Sequence, residues 1–287
     1  MTHFNAGERL LFDTETDNPD PTEAFIIQAA LIHVKPGSEL RQWKWLVKPR
    51  RPIPAEATAV HGISTEQAER DGEPVHAVIS ELAAILTECW TPACPLVGHN
   101  IGYDITVTDR ELGRIWDREL LPAGPVIDTL LLDKELDKYR AGSRQLSDQC
   151  RHYGLELGAD AHDAFADALA AGRLLHKMVA RCVNKSWPRR GRWGPSKSER
   201  SARALVAAGD AHSLHTAQVD WHREGQLGLA EYWRSPKAVE KTWEKVSRGE
   251  MTREEAVEWI AGLPEAADRV EAQAQGCWPL IPRLVTT

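Results

Sequence analysis

The sequence lacks any run approaching the roughly 20 apolar residues that a membrane-spanning helix requires. Residues 1–11 include His3, Glu8 and Arg9 instead of a secretory apolar core. Together these absences predict a cytoplasmic protein with no membrane partner. Cysteine is scarce: Cys89, Cys94, Cys150, Cys182 and Cys277 are odd in number and contain no C-x-x-C pair. That argues against a disulfide framework and against a structural zinc site, and leaves reduced, packed thiols. Positive charge is not in excess either. Lys and Arg number 35 against 42 Asp and Glu, a formal net charge of -7, which argues against coating nucleic acid by bulk charge. A nucleic-acid enzyme remains compatible, since metal-binding acids enter that count and basic residues can be local. Phe and Tyr are few, 4 of each, against 11 Trp. The tryptophans are scattered, and Trp43 and Trp45, two apart on an expected strand, share one face and read as packing residues. There is no internal repeat.

What is present suffices for one good-sized core plus an accessory region in 287 residues. Leu10–Thr16 reads as a strand. Two β-rich runs, 24–34 and 42–49, flank the turn signal Pro36-Gly37-Ser38 and predict a hairpin. From Pro54 to Trp90 the pattern turns helical, with Val75, Val78, Ile79, Leu82, Ile85 and Leu86 at helical spacing. Pro95–Asn100 predicts a short buried strand followed by a helix to about Trp116, and Val126-Ile127 begins another strand. Arg144–Tyr153 predicts a helix closed by Gly154, and 163–183 a strong one. A meander followed by β-α units predicts an α/β mixed sheet flanked by helices over about 7–182. The expected domains are therefore 1–182, a basic linker or loop over 183–210, and a helical C-terminal extension over 211–287. The linker reading rests on Arg181–Arg203, rich in Lys and Arg and broken by Pro188, Gly191, Gly194 and Pro195. Beyond it helices are expected over about 211–233, 236–247 and 253–261. Ser235-Pro236 supplies a helix start and Thr252-Arg253-Glu254-Glu255 a capping box.

The chemistry lies in acids that recur far apart. Phe12-Asp13-Thr14-Glu15-Thr16 closes the first apolar run, Gly98-His99-Asn100-Ile101-Gly102-Tyr103-Asp104 follows a second, and His162-Asp163-Ala164-Phe165-Ala166-Asp167 opens an Ala-rich helix. Asp13 and Glu15 alternate onto one face of their strand, Asp104 sits in a helical first turn beyond a strand end, and Asp167 and His162 share one helix start. Four converging carboxylates repel and are driven toward protonation. Two Mg²⁺ ions offset that charge, take oxygen ligands, and clamp the attacking and leaving oxygens of a phosphodiester. His162, near its ordinary pKa of about 6.5, suits a general base at neutral pH. Taken singly each residue has a plainer reading: solvated strand-end acids, a helix-capping histidine, an acid favoured by a helix N-terminus. The ordered set carries the functional reading.

These blocks resemble the motifs of the DnaQ-like 3′–5′ exonucleases, the DEDD superfamily, in its histidine-bearing DEDDh branch. Ala59-Val60-His61-Gly62-Ile63, Val126-Ile127-Asp128-Thr129, and 144–155 from Arg144-Gln145-Leu146 to Tyr153-Gly154-Leu155 resemble supporting segments. The tyrosine branch fits less well, because His162 stands five positions before Asp167. The resemblance covers about Leu10–Val179 and implies an RNase H-like fold, dependence on Mg²⁺ or Mn²⁺, and release of nucleoside 5′-monophosphates from a 3′ end. It implies Asp13, Glu15, Asp104 and Asp167 as metal ligands and His162 as the general base. Thr14, Thr16, His61, Ile63 and Asn100 take places that contact the terminal nucleotide, against packing or turn roles for each.

Outside the core, Leu214-His215-Thr216-Ala217-Gln218 to Trp221 is similar to a tail on some actinobacterial and phage members. Arg189, Arg190 and Arg192 interleaved with Trp187 and Trp193 suit phosphate contact and base stacking on a single strand, against the reading of a solvated loop. Gln226-Leu227-Gly228-Leu229 resembles a sliding-clamp-binding peptide without its terminal aromatic, and ordinary helix packing competes. The leading expectation is a metal-dependent 3′–5′ exonuclease on DNA, single strands favoured, in proofreading, repair or replication, with a DNA polymerase or sliding clamp as a conceivable partner. The alternatives are an exoribonuclease of RNase T or oligoribonuclease type and a non-catalytic module that positions a strand end or recruits a polymerase. His162-Asp163 also suggests an HD-type phosphohydrolase, which needs further His ligands that no upstream pair supplies.

Overall fold

The computed structural model describes residues 3–156, 163–187, 194–276 and 278–280. Among them the chain divides into two compact units, the first ending at Gln218 and the second beginning at Val219. The first is built on a five-stranded sheet. Strands β1 (Arg9–Thr16), β2 (Ile26–Val34) and β3 (Arg41–Leu46) form the antiparallel meander, and β4 (Leu96–Gly98) and β5 (Val126–Asp128) add in parallel, giving the order β3-β2-β1-β4-β5. β2 is almost entirely apolar and buried, as a strand covered on both faces must be. Short β4 and β5 each hand over to a helix.

Helices α1 (Ala55–His61), α2 (Thr65–Asp71) and α3 (Val75–Cys89) occupy the stretch that predicts helix. α3 buries Val78, Ile79, Leu82, Ile85 and Leu86 on one stripe. α4 (Gly102–Trp116) follows β4. α5 (Thr129–Leu136), which the sequence reading did not separate from its strand, follows β5 and is capped by the Asp128 side chain accepting from Leu130 N at 2.8 Å. α6 (Leu146–His152) and α7 (Ala164–Val183) complete the expected set.

The expected loop over 183–210 needs correction for its second half. Lys197–Ala208 is helix α8, started by a full capping box between Ser196 and Glu199. It packs on α5 and α7. Arg203 donates through Nε and Nη2 to the Leu136 carbonyl, at 3.0 and 2.7 Å, and lies over the Trp187 ring at 4.1 Å. The next helix, α9 (Ala211–Arg234), begins in the first unit and covers the outer edge of β5. Val126 N donates to His215 Nδ1 at 3.3 Å, Asp128 N to Gln218 Oε1 at 2.8 Å, and Gln218 Nε2 to the Val126 carbonyl at 3.0 Å. An edge strand exposes unpaired backbone groups, and here two side chains answer them.

The second unit continues α9 and adds α10 (Pro236–Ser247) and α11 (Arg253–Gln275). α11 runs past the expected stop at Ala261, through Gly262 and Pro264, because Leu263, Ala267, Val270 and Ala274 keep one buried stripe. Ala230, Ala267 and Val270 form its small core with Trp233. Gln226-Leu227-Gly228-Leu229 lies inside α9, with Leu227 and Leu229 exposed and Ala230 buried. Cys89, Cys94, Cys150 and Cys182 are free and buried, and Cys277 falls outside the described residues. Among the described residues, no helix is long and apolar enough to cross a membrane.

Candidate active site

Three carboxylates meet at the C-terminal end of β1. Asp13, Glu15 and Asp167 each bring an oxygen to within 4.8 Å of the others. β1 contributes two of them because Asp13 and Glu15 are separated by one residue and so share a face. Asp167 arrives on α7, whose position follows from two features of its sequence. The first half of its buried side is small, with Ala164, Ala168, Ala170 and Ala171, and a Cβ added at Gly172 would meet Leu11 Cδ1 at 2.6 Å, so glycine permits the close approach. Its first turn is tied down by Gln28 on β2, which stands opposite Glu15 and accepts from Ala164 N at 2.8 Å.

Asp104, in the first turn of α4, is almost fully buried and near enough for its charge to act on Asp13 and Glu15, but it stands outside the group of three. Its Oδ1 accepts from Thr14 N at 2.9 Å and from Thr14 Oγ1 at 2.6 Å. The β4–α4 turn is set by Asn100, whose φ of 59° is a left-handed conformation that Asn tolerates. Asn100 N donates to Asp128 Oδ1 at 2.9 Å. His99 bridges the next elements, its Nδ1 2.9 Å from Thr129 Oγ1 and its Nε2 3.1 Å from the Arg144 carbonyl. Burial pushes His99 down to about 4, so it stays neutral and acts as a strut.

The electrostatics are those of crowded acids. Burial, and then the charges of Asp104, Glu15, Asp167 and Asp163, hold the Asp13 carboxyl well above the usual carboxylate range. Burial and the charges of Asp167, Asp104 and Asp163 push Glu15 up to about 8. Burial pushes Asp104 up to about 7 against the two Thr14 hydrogen bonds, and burial also raises Asp128 to about 6. The donor set is all oxygen and resists full ionisation by itself. That is the fit expected of a pocket for hard divalent cations.

A cleft of about 560 Å³ opens beside this cluster, lined by Asp13, Asp167, His99, Asn100, Lys134 and Arg144 among others. Of the residues expected to contact a nucleotide, Asn100 lines it and is exposed. The Thr14 hydroxyl is committed to Asp104, and the Thr16 hydroxyl to Tyr103 and the Asn18 carbonyl. His61 ends α1, and its Nδ1 accepts from Ile63 N at 3.1 Å. Ile63 itself packs with Ile27, Ile53 and Ala68 in a core cluster. His162 lies outside the described residues, as do Arg189, Arg190, Arg192 and Trp193. Trp187 is engaged internally, between Arg203 and the edge-on Tyr153 ring. Asp163 caps α7 by accepting from Phe165 N and Ala166 N and pairs with Lys44, a capping role rather than a ligand in an HD-type site. Sequence reading missed Gln28, whose place depends on Ala164 far away in the chain, and Lys134, which only the folded cleft brings beside the acids.

The model of the RNase T family, described as exonuclease, matches residues 10–175, more than half of the chain. The PolC-type DNA polymerase III of Oceanobacillus iheyensis is 30% identical over 176 residues, covering 61% of this chain and 12% of that protein. A DNA polymerase III subunit epsilon-like protein of Rhodobacter capsulatus is 31% identical over 184 residues, 60% of this chain and 24% of that one. The chain thus spans a quarter or less of the length of these relatives. The structure of E. coli Exonuclease I in complex with a dA16 oligonucleotide shares the fold, at TM-score 0.52 and 20% identity, over 61% of this chain and 41% of that one.

Proposed function

The chain belongs to the RNase T exonuclease family, and from that premise we propose that it is a metal-dependent 3′–5′ exonuclease that releases nucleoside 5′-monophosphates, with DNA as the favoured substrate. The single observation carrying this reading is the approach of the Asp13, Glu15 and Asp167 oxygens to within 4.8 Å, beside a cleft that Asp13 and Asp167 line. Asp13, Glu15, Asp104 and Asp167 would hold two Mg²⁺, or Mn²⁺ in their place. Bound there, the metal would supply Lewis-acid chemistry, lowering the pKa of a water and offsetting charge on the scissile phosphate.

The chain's own residues do the rest. Thr14 orients Asp104 through two donors to one oxygen, leaving the carboxylate's direction fixed before substrate arrives. Gln28 and Gly172 hold Asp167 at the cluster by fixing α7. His162 takes the proton from the attacking water, as its place in the motif suggests. Asn100 and Lys134 meet the strand at the cleft, Lys134 as a cation suited to a phosphate. The basic stretch with Arg189, Arg190 and Arg192 suits the strand further from its end. DNA is favoured because the polymerase relatives are DNA polymerases, and a polymerase working beside this chain is the partner that fits. Digestion of matched single-stranded DNA and RNA with Mg²⁺ tests the choice. DNA should be lost faster, and preferential loss of RNA would replace this reading with an exoribonuclease of RNase T or oligoribonuclease type.

A further inference from the structure

Glu8, His33 and Cys94 form a second cluster, each offering one ligand atom within 4.8 Å of the others. Strand pairing explains how residues so far apart in sequence meet. Leu10 lies opposite His33 in the β1–β2 register and opposite Leu96 in the β1–β4 register. Glu8 stands two residues before Leu10, and Cys94 two before Leu96. All three side chains therefore leave the same face of the sheet. The alternation puts that face opposite the one carrying Asp13 and Glu15, and five residues of extended chain separate Glu8 from Asp13 by roughly 17 Å. The cluster is thus distinct from the carboxylate cleft.

His33 supplies an independent observation. It is 8% exposed, its Nδ1 has no hydrogen-bond partner, and its Nε2 faces only the Glu8 carboxylate. A buried polar group left unmatched is costly and calls for an explanation. Its Nε2 stands 3.4 Å from Glu8 Oε2. Two ligands on adjacent corners of a tetrahedron with bonds of about 2.0–2.1 Å are separated by about that distance. Lys35 Nζ holds the other Glu8 oxygen at 2.8 Å, which turns Oε2 toward the imidazole.

We propose that Glu8, His33 and Cys94 bind a zinc ion, with water in the fourth position, clipping together the start of β1, the end of β2 and the turn before β4. The donor chemistry selects the metal. Thiolate and imidazole suit Zn²⁺, whereas Mg²⁺ prefers oxygen. Binding breaks the Cys94 S–H bond, forms a sulfur–zinc bond and passes the proton to solvent. Carboxylate, thiolate and neutral imidazole then carry two negative charges against the two positive charges of zinc. The sequence gives no hint of this because no two of the ligands are close neighbours in the chain.

Cobalt(II) substitution tests the site separately from nuclease activity. Full-length protein, stripped with chelator and reloaded with Co²⁺ in excess Mg²⁺, should show a thiolate-to-cobalt charge-transfer band with tetrahedral ligand-field absorption, saturating near one equivalent and displaced by Zn²⁺. The carboxylate cleft contains no sulfur and cannot produce that band. Cys94→Ser should abolish it, with folding followed by circular dichroism. Glu8→Gln, at a partly exposed position, should keep the fold and weaken Co²⁺ about tenfold or more. No charge-transfer band in the wild-type protein, a band that survives Cys94→Ser, or unchanged affinity in Glu8→Gln overturns the proposal.

Discussion

At the residue scale, the protein's least comfortable groups are its most informative. Glu15, pushed up to about 8 by burial and by Asp167, keeps a proton in the folded state that the unfolded chain gives up near 4.5. The sign follows directly. Its contribution to stability is full below its unfolded value and is lost as pH rises through about 8. In EDTA, the melting temperature should fall between mildly acidic pH and pH above 8, and Mg²⁺ should restore most of the loss. Glu15→Gln should flatten that slope, and a slope unchanged in Glu15→Gln would contradict the assignment of strain to this acid. For His162→Ala, metal-dependent protection against thermal unfolding should persist, while turnover falls by about two to four orders of magnitude. A mutant within a few-fold of wild type would remove His162 from proton transfer. Asp13, Glu15, Asp104 and Asp167 were legible in the sequence because each sits where an apolar run ends or a helix begins. Gln28 was not, because its role exists only through Ala164, 136 positions away.

At the scale of elements, α7 decides whether the acids meet. Gly172→Val inserts atoms where a Cβ alone would already stand 2.6 Å from Leu11. It should cost about 1–3 kcal/mol and depress turnover disproportionately, because lifting α7 also withdraws Asp167. Gln28→Ala leaves the buried Ala164 N–H without its acceptor, at about 1–3 kcal/mol. Urea unfolding and initial rates on one preparation check both, and full activity at reduced stability would show that α7 position is not limiting. The meander, α3, α4 and α7 were readable from apolar spacing. α5 was not, since Thr129-Leu130-Leu131-Leu132 continues the apolar run of β5 and mimics a longer strand. α8 was hidden by its many Arg and Lys residues, although Ser196 and Glu199 carry the spacing of a capping box. α11 outran its expected end because a buried stripe outweighed Gly262 and Pro264.

At the scale of the molecule, the sheet does not end where the family motifs end. The β5 edge is completed by His215 and Gln218, and Arg203 ties α8 to the Leu136 carbonyl and the Trp187 ring. A chain cut after residue 182 should therefore be insoluble or markedly less stable, whereas one cut after Arg234 should fold and keep its activity on short strands. Equal melting temperatures for the two would show that 197–218 is dispensable. The sequence could not announce this, because Gln218 looks like any polar helix residue until β5 lies beside it. The proposed activity, however, rests on three oxygens from β1 and α7 acting with divalent metal. The most direct measurement is a time course on 5′-labelled single-stranded DNA with Mg²⁺, for the wild-type protein and for Asp167→Asn. The account predicts a ladder that shortens stepwise from the 3′ end with release of nucleoside 5′-monophosphates, halted by EDTA and by the substitution. Shortening that persists in EDTA, or in Asp167→Asn at the wild-type rate, would contradict it.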